Sequence, residues 1–137
     1  METTVFERLR IGPIELANRI ALAPVKTALG GTDGLATDRH IAYYRRRAQG
    51  GAGLLILEPL FVDPMGREHP RQLGVDADAG IPGLRRIVEA VHEEASLIFA
   101  HLNHAGRAAN PKAIGRSPEA PSAVPCPTTG ATPEPMS

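Results

Sequence analysis

Residues 50–59, GGAGLLILEP, decide the fold of this chain. Two glycines lead into an unbroken apolar run, which is typical of a strand buried on both faces of a parallel sheet. A helix is predicted just before the glycines, because Ile41 and Tyr44 lie at helical spacing and Thr37 or Asp38 can cap its start. The glycines end this helix by supplying a backbone position with positive φ.

The same alternation extends to both sides of this stretch. A short apolar strand is predicted at 19–23, a second amphipathic helix begins near 81, and a third buried strand covers 97–100. Strand, helix, strand, helix, strand in this order predicts a parallel sheet with right-handed crossovers. A small hairpin that turns at 12–13 precedes the sheet. The longer loops follow the strands, which is where α/β proteins place their functional residues.

The composition excludes several classes of function. Lys plus Arg and Asp plus Glu both number 15, so the formal net charge is zero. No long-range field therefore draws the protein to nucleic acid or to an anionic membrane surface. The one cysteine, Cys126, cannot form an internal disulfide. No apolar run reaches the length of a membrane span and the N-terminus lacks the apolar centre of a signal peptide, so a cytoplasmic protein is expected.

The end of the chain differs in composition from the rest. Seven of the 13 prolines lie between Pro111 and Pro135. Residues 108–137 are therefore interpreted as a Pro-rich loop or tail, separate from residues 1–107. Proline has no backbone N–H to donate, so this tail is not expected to add strands.

The glycines at 50–53 do not form a nucleotide-binding fingerprint. A phosphate cradle needs a strand, a glycine turn and then a helix, so that the amides at the helix N-terminus face the anion. Here the order is helix and then strand, which argues against a Rossmann or P-loop protein.

Several motifs, taken together and in order, point to one family. In chain order they are Leu16-Ala17-Asn18-Arg19-Ile20, Ala23-Pro24-Val25, Asp33-Gly34, Gly50-Gly51-Ala52-Gly53-Leu54, Val62-Asp63-Pro64-Met65-Gly66-Arg67 and His104-Ala105-Gly106-Arg107. With these motifs the sequence resembles the N-terminal part of the Old Yellow Enzyme family, the NADH:flavin oxidoreductases, and is similar to 2,4-dienoyl-CoA reductase. No single motif carries the resemblance, which extends over essentially all 137 residues.

The resemblance implies an α/β fold that is the N-terminal portion, about three βα units, of a TIM (β/α)8 barrel. Residues 1–107 would form a partial FMN-binding barrel preceded by the short β-hairpin, and residues 108–137 would begin the family's substrate-proximal hairpin. A complete barrel has eight such units in about 250 residues. The chain is then expected to be one subunit of a split enzyme, with a second chain supplying the rest of the barrel, or a fragment.

The implied function is part of an FMN-dependent NAD(P)H:flavin oxidoreductase of the ene-reductase type. NAD(P)H would reduce the flavin, which would pass the hydride to an activated alkene in a small-molecule substrate. The family's substrate-binding His/Asn pair and its tyrosine lie beyond Ser137, so no catalytic residue is assigned here. The alternative is an inactive truncated or structural subunit that completes a partner chain.

The resemblance assigns the floor and edge of the flavin to residues that follow three strands. These residues are Ala23, Pro24, Val25, Lys26, Glu58, Pro59, His101 and Arg107. Relatives often have Thr or Cys at the place of Lys26, a small residue at the place of Pro59, and Gln at the place of His101. Pro59 has no N–H, so a contact there must use its carbonyl.

Three of these residues each have two interpretations. A lysine at position 26 would favour the reduced, anionic flavin by charge attraction, or it extends its ammonium into solvent at the mouth of the barrel. Glu58 faces the flavin, or it is a buried carboxylate that bonds neighbouring backbone. His101 donates a hydrogen bond to the flavin, or it is a strand-end histidine satisfied by backbone.

No metal site is predicted. His101 and His104 lie three residues apart, but carboxylate or thiolate partners for a metal ion are missing nearby. His104 is instead expected to hold the loop after the third strand. An iron–sulfur cluster needs several cysteines, so none is expected in this chain.

Overall fold

A computed structural model describes residues 4–136. Its strands are β1 (Leu9–Ile11), β2 (Ile14–Leu16), β3 (Ala21–Leu22), β4 (Leu54–Phe61), β5 (Leu97–Asn103), β6 (Glu119–Ala120) and β7 (Glu134–Pro135). Its α-helices are α1 (Asp38–Gln49), α2 (Ile81–His92) and α3 (Pro111–Ile114). Short 3-10 turns lie at Pro64–Gly66, Asp78–Gly80 and Gly106–Ala108.

The predicted alternation of strands and helices is confirmed. β3, β4 and β5 form one sheet in that order, and both pairs of neighbours are parallel. Helix α1 connects β3 to β4, and α2 connects β4 to β5. The predicted hairpin is also present, because β1 and β2 pair antiparallel with Leu9 opposite Leu16.

Helix α1 begins and ends where the sequence predicts. Thr37 is its N-cap, and Asp38 in the first turn and Arg47 in the last turn complement the helix dipole. Gly50 is the C-cap and Gly51 has φ of +85°, a conformation that favours glycine.

Strand β4 is longer than predicted. The sequence predicts its end at Glu58 and Pro59, but the strand continues to Phe61. The prediction was wrong because a proline removes one donor and not the whole ladder. The register shifts between Ile56 and Pro59, and pairing with β5 then resumes opposite His101. His101 therefore lies inside β5 and not at its end.

The core lies between the sheet and the two long helices. Leu55 and Leu60 of β4 pack with Tyr44 of α1 and with Ile87 and Val91 of α2, and all five are almost fully buried. Apolar side chains along β5 stay more open, with Phe99 42% and Leu102 63% exposed.

The Pro-rich tail forms a small ladder of its own. β6 and β7 pair in parallel, with the Glu134 N–H donating to the Pro118 carbonyl at 2.8 Å and the Met136 N–H to the Ala120 carbonyl at 2.9 Å. The expectation that the tail adds no strands was wrong in this respect, because the residues between the prolines keep their donors. This ladder is separate from the three-stranded sheet.

Within residues 4–136, none of the helices combines the length and the apolar character needed to cross a membrane.

Candidate functional site

Two polar clusters lie where β3, β4 and β5 reach their carboxyl ends. In parallel strands these ends meet at one edge of the sheet, so loops that are distant in sequence become neighbours. The first cluster is buried and centred on Glu58. The second is half-open and centred on Glu68, in the loop after β4.

The buried cluster joins the loop after β3 to strand β4 and helix α1. Glu58 is 1% exposed. Its carboxylate accepts the Thr27 hydroxyl at 2.6 Å and the Thr27 backbone N–H at 3.3 Å. The Nε2 atom of His40, a fully buried side chain, lies 3.2 Å from Glu58 Oε1. A buried carboxylate needs such partners, because desolvation of an isolated charge is costly.

The backbone fixes the orientation of the His40 ring. Nδ1 accepts the Thr37 backbone N–H at 3.0 Å, so the hydrogen of the neutral ring lies on Nε2 and faces Glu58. The Nε2–H does not align with the carboxylate oxygen, and this contact is therefore an electrostatic one without a well-directed hydrogen bond. His40 occupies the place of the usual acidic residue in a capping box.

Tyr44 completes the buried cluster from α1. Its hydroxyl accepts the backbone N–H of Glu58 at 2.8 Å. Burial of the ring raises the pKa of Tyr44 far above its ordinary value, so the hydroxyl stays protonated.

We expect Tyr44→Phe to lower the free energy of unfolding by about 1–3 kcal/mol, because the buried Glu58 N–H loses its acceptor. Urea denaturation measures this. Tyr43→Phe is the matched control, since it removes the same atom from a half-buried neighbour outside the cluster and should cost less than about 0.5 kcal/mol. Equal losses in the two variants would contradict the role of this hydrogen bond.

The half-open cluster holds Lys26 through an ion pair with Glu68. Asn103 at the end of β5 donates to Glu68 Oε1 at 3.3 Å. Gln72 is buried, accepts the Glu68 backbone N–H at 2.8 Å and donates to the Pro59 carbonyl at 3.0 Å. The Lys26 side chain is 53% exposed, so it reaches the open edge of the sheet with its charge balanced by Glu68.

The other sequence-predicted residues near β3 and β5 border the same edge. Ala23, Pro24 and Val25 directly follow β3, and Val25 is 54% exposed. His101 is half-buried, and among the residues that the structure describes its buried Nδ1 has no hydrogen-bond partner. A buried ring nitrogen without a partner calls for an additional hydrogen-bonding group, which a polar ligand could supply.

Arg107 and His104 lie in the turn after β5. The Arg107 side chain is exposed, and its charge contributes to the lowered pKa of Cys126, which the Thr129 side-chain hydrogen bond lowers most. The 3-10 turn Gly106–Ala108, which contains Arg107, packs against β6 of the Pro-rich tail. His104 Nδ1 accepts the Gly106 N–H at 3.1 Å, and a Cβ on Gly66 would lie 2.5 Å from His104 Cδ2. This close packing agrees with the expectation that His104 holds the loop.

Sequence reasoning missed five residues of the two clusters, namely Thr27, His40, Glu68, Gln72 and Asn103. His40 had a local signal, because it stands three residues after the N-cap Thr37. The other four had none, because the contacts that bring them to the site join distant parts of the chain: Thr27 with Glu58, Glu68 with Lys26 and Asn103, and Gln72 with the Pro59 carbonyl. Within the described residues, no group of three or more His, Cys, Asp or Glu side chains converges in a way that could hold a metal ion.

Comparison with family models gives a match over nearly the whole chain. The model of the NADH:flavin oxidoreductase / NADH oxidase family matches residues 4–135. An NADH oxidase of Thermoanaerobacter brockii is 42% identical over 131 residues, which are 94% of this chain and 20% of that protein. An NADPH dehydrogenase of Listeria monocytogenes serotype 4a is 37% identical over 122 residues, which are 88% of this chain and 35% of that protein.

Solved structures resemble the chain over almost its entire length. An old yellow enzyme homologue from Zymomonas mobilis aligns with a TM-score of 0.84 and 32% sequence identity. The alignment covers 96% of this chain and 38% of the homologue. Morphinone reductase in complex with tetrahydroNAD aligns with a TM-score of 0.87 and 28% sequence identity. The alignment covers 99% of this chain and 41% of the reductase. The chain thus spans between about a fifth and two fifths of the length of these similar proteins.

Proposed function

Because the chain belongs to the NADH:flavin oxidoreductase / NADH oxidase family, whose members are FMN-dependent NAD(P)H oxidoreductases, we propose that it supplies part of the flavin site of such an enzyme. The family resemblance predicted from the sequence motifs is confirmed. The observation that carries the proposal is that, among the described residues, the buried Nδ1 atom of His101 in β5 has no hydrogen-bond partner.

FMN, when bound, supplies the hydride chemistry between NAD(P)H and a second substrate. The chain's own residues bind and orient it. Ala23, Pro24 and Val25 offer backbone and a small apolar surface for the ring, and His101 offers one ring nitrogen for a hydrogen bond. The carbonyl of Pro59 accepts a hydrogen bond from Gln72, which fixes that backbone from the side of the protein.

Lys26 contributes to the electrostatics of the proposed site. Its ammonium is paired with Glu68, and this pair tethers a side chain that would otherwise be free to extend into solvent. The position of the positive charge is therefore set by the loop after β4. Arg107 is a cofactor-binding candidate from the sequence alone, and its proposed role is at the periphery, because the turn that contains it packs against β6 of the tail.

The proposed reaction is the reduction of an activated alkene in a small-molecule substrate. The fold similarity to morphinone reductase and to old yellow enzymes supports this type of chemistry. The groups that polarise the alkene belong to barrel units outside these 137 residues.

We propose that a second chain carrying the remaining barrel units completes the site. Within the described residues, β3 and β5 each have a neighbouring strand on one side only. The two outer strands of the sheet are therefore unpaired on their outer sides, which is distinct from the edge formed by the carboxyl ends of the strands. Open edges of a parallel sheet pair readily with further strands. Neither a nucleic acid nor a membrane is a proposed partner.

Co-purification with the product of the adjacent downstream gene tests the proposal. A yellow complex with a flavin spectrum that bleaches on addition of NADH or NADPH is expected. The chain purified alone is the control and should be colourless. A complex that stays colourless after incubation with FMN would refute the proposed function.

A further inference from the structure

We infer that Glu58 is a positioning residue, which with Thr27 and His40 holds the backbone after β3 in the shape that the flavin requires. The inference builds on the proposed function and assigns a role to a carboxylate that does not itself need to touch the flavin.

The loop after β3 contains a backbone conformation that needs support. Ala28 has φ of +53°, in the left-handed region where a residue with a Cβ is strained. Such a conformation persists only when the surrounding contacts determine it. It occurs two residues after Lys26, in the segment that borders the open edge of the sheet.

Hydrogen bonds fix both neighbours of Ala28. Thr27 gives its hydroxyl and its backbone N–H to Glu58, at 2.6 and 3.3 Å. The Leu29 N–H donates to the Thr27 hydroxyl oxygen at 3.3 Å, and the Leu29 carbonyl accepts the Thr37 hydroxyl at 3.1 Å. The strained residue is thus held from β4 on one side and from the start of α1 on the other.

Glu58 is itself held rigidly. Its backbone N–H is bound by Tyr44 and its carboxylate faces the ring of His40, whose orientation Thr37 sets. The side chain is almost fully buried. The 2.6 Å hydrogen bond from the Thr27 hydroxyl is at the short end of the range for O–H···O contacts, so it holds Thr27 firmly against this side chain.

The consequence for the flavin follows from the positions of these residues in the chain. Thr27 directly follows the proposed flavin floor and Lys26, and Glu58 directly precedes Pro59. One carboxylate therefore ties together two backbone segments that border the site. Binding sites lose affinity when such supporting contacts are loosened, because the first layer of residues must be held in the productive geometry.

The test uses the assembled flavoprotein, stripped of FMN, with four variants. Glu58→Gln and Thr27→Val should each raise the dissociation constant of added FMN by about tenfold or more. Thr27→Ser keeps the hydroxyl, so its dissociation constant should stay within about threefold of the wild-type value. Amide exchange at Thr27 and Leu29 should become faster in the first two variants. Glu93→Gln is the matched control, since it makes the same change in an exposed ion pair with Arg45.

Each outcome decides the inference. Equal FMN binding in the wild type, Glu58→Gln and Thr27→Val overturns it, even if amide exchange is faster, because the cluster then serves folding alone. If Glu58→Gln does not fold, the comparison of Thr27→Val with Thr27→Ser decides alone. Failure of the wild-type assembly to bind FMN refutes the proposed function and the inference with it, whereas wild-type binding with insensitive variants refutes only the inference.

Discussion

A polypeptide of these 137 residues alone is expected to bind FMN at least about a hundredfold more weakly than the completed assembly. Barrels of this type hold the phosphate of a ligand with loops after late strands, and the chain supplies the units around β3, β4 and β5. Loss of two or three hydrogen bonds, each contributing about 1 kcal/mol, together with exposure of one ring face accounts for this factor.

Titration of flavin fluorescence with the isolated polypeptide and with the assembly measures the difference. A thermal melt of the isolated polypeptide serves as the control that it is folded under the same conditions. If the folded polypeptide binds FMN as tightly as the assembly does, the three-stranded sheet and its loops are sufficient for FMN binding. That result would contradict the expectation that the FMN site is shared between this chain and the remaining barrel units.

The second large effect concerns the ion pair of Lys26 and Glu68. In the assembled enzyme, Lys26→Thr is expected to lower the reduction potential of the flavin, because it removes a positive charge and leaves the Glu68 carboxylate without its partner. Glu68→Gln is expected to raise the potential, since it keeps the ammonium and removes the balancing charge. For a two-electron couple each shift should be on the order of 30 mV, the equivalent of about 1.4 kcal/mol.

Equilibrium titration against a reference dye measures these potentials. Lys112→Thr is the matched control, because it removes an exposed lysine from α3 and should leave the potential unchanged. Shifts of the same sign in Lys26→Thr and Glu68→Gln would contradict an electrostatic effect of this pair on the flavin. Unchanged potentials in both would show that the pair lies away from the ring.

The order of the strands and helices was predictable, because the spacing of apolar residues along a segment shows which of its faces are buried. The run from Leu54 to Leu57 has no polar face, so it must be covered on both sides, and helix α1 ends where Gly51 takes a positive φ. The ends of the strands were less predictable. β4 continues beyond Pro59 because β5 supplies a neighbour for the following residues, and that neighbour lies some 40 residues away in the sequence.

The sequence by itself thus determined the strand–helix order, the hairpin and, through its motifs, the family. Tertiary structure alone decided what the polar residues do. Glu58 meets Thr27 across 31 residues, and Lys26 meets Glu68 only because parallel strands bring their carboxyl ends to one edge. Periodicity encodes which face of an element is buried, but the partner of a buried charge is set by the register and connection of the whole sheet.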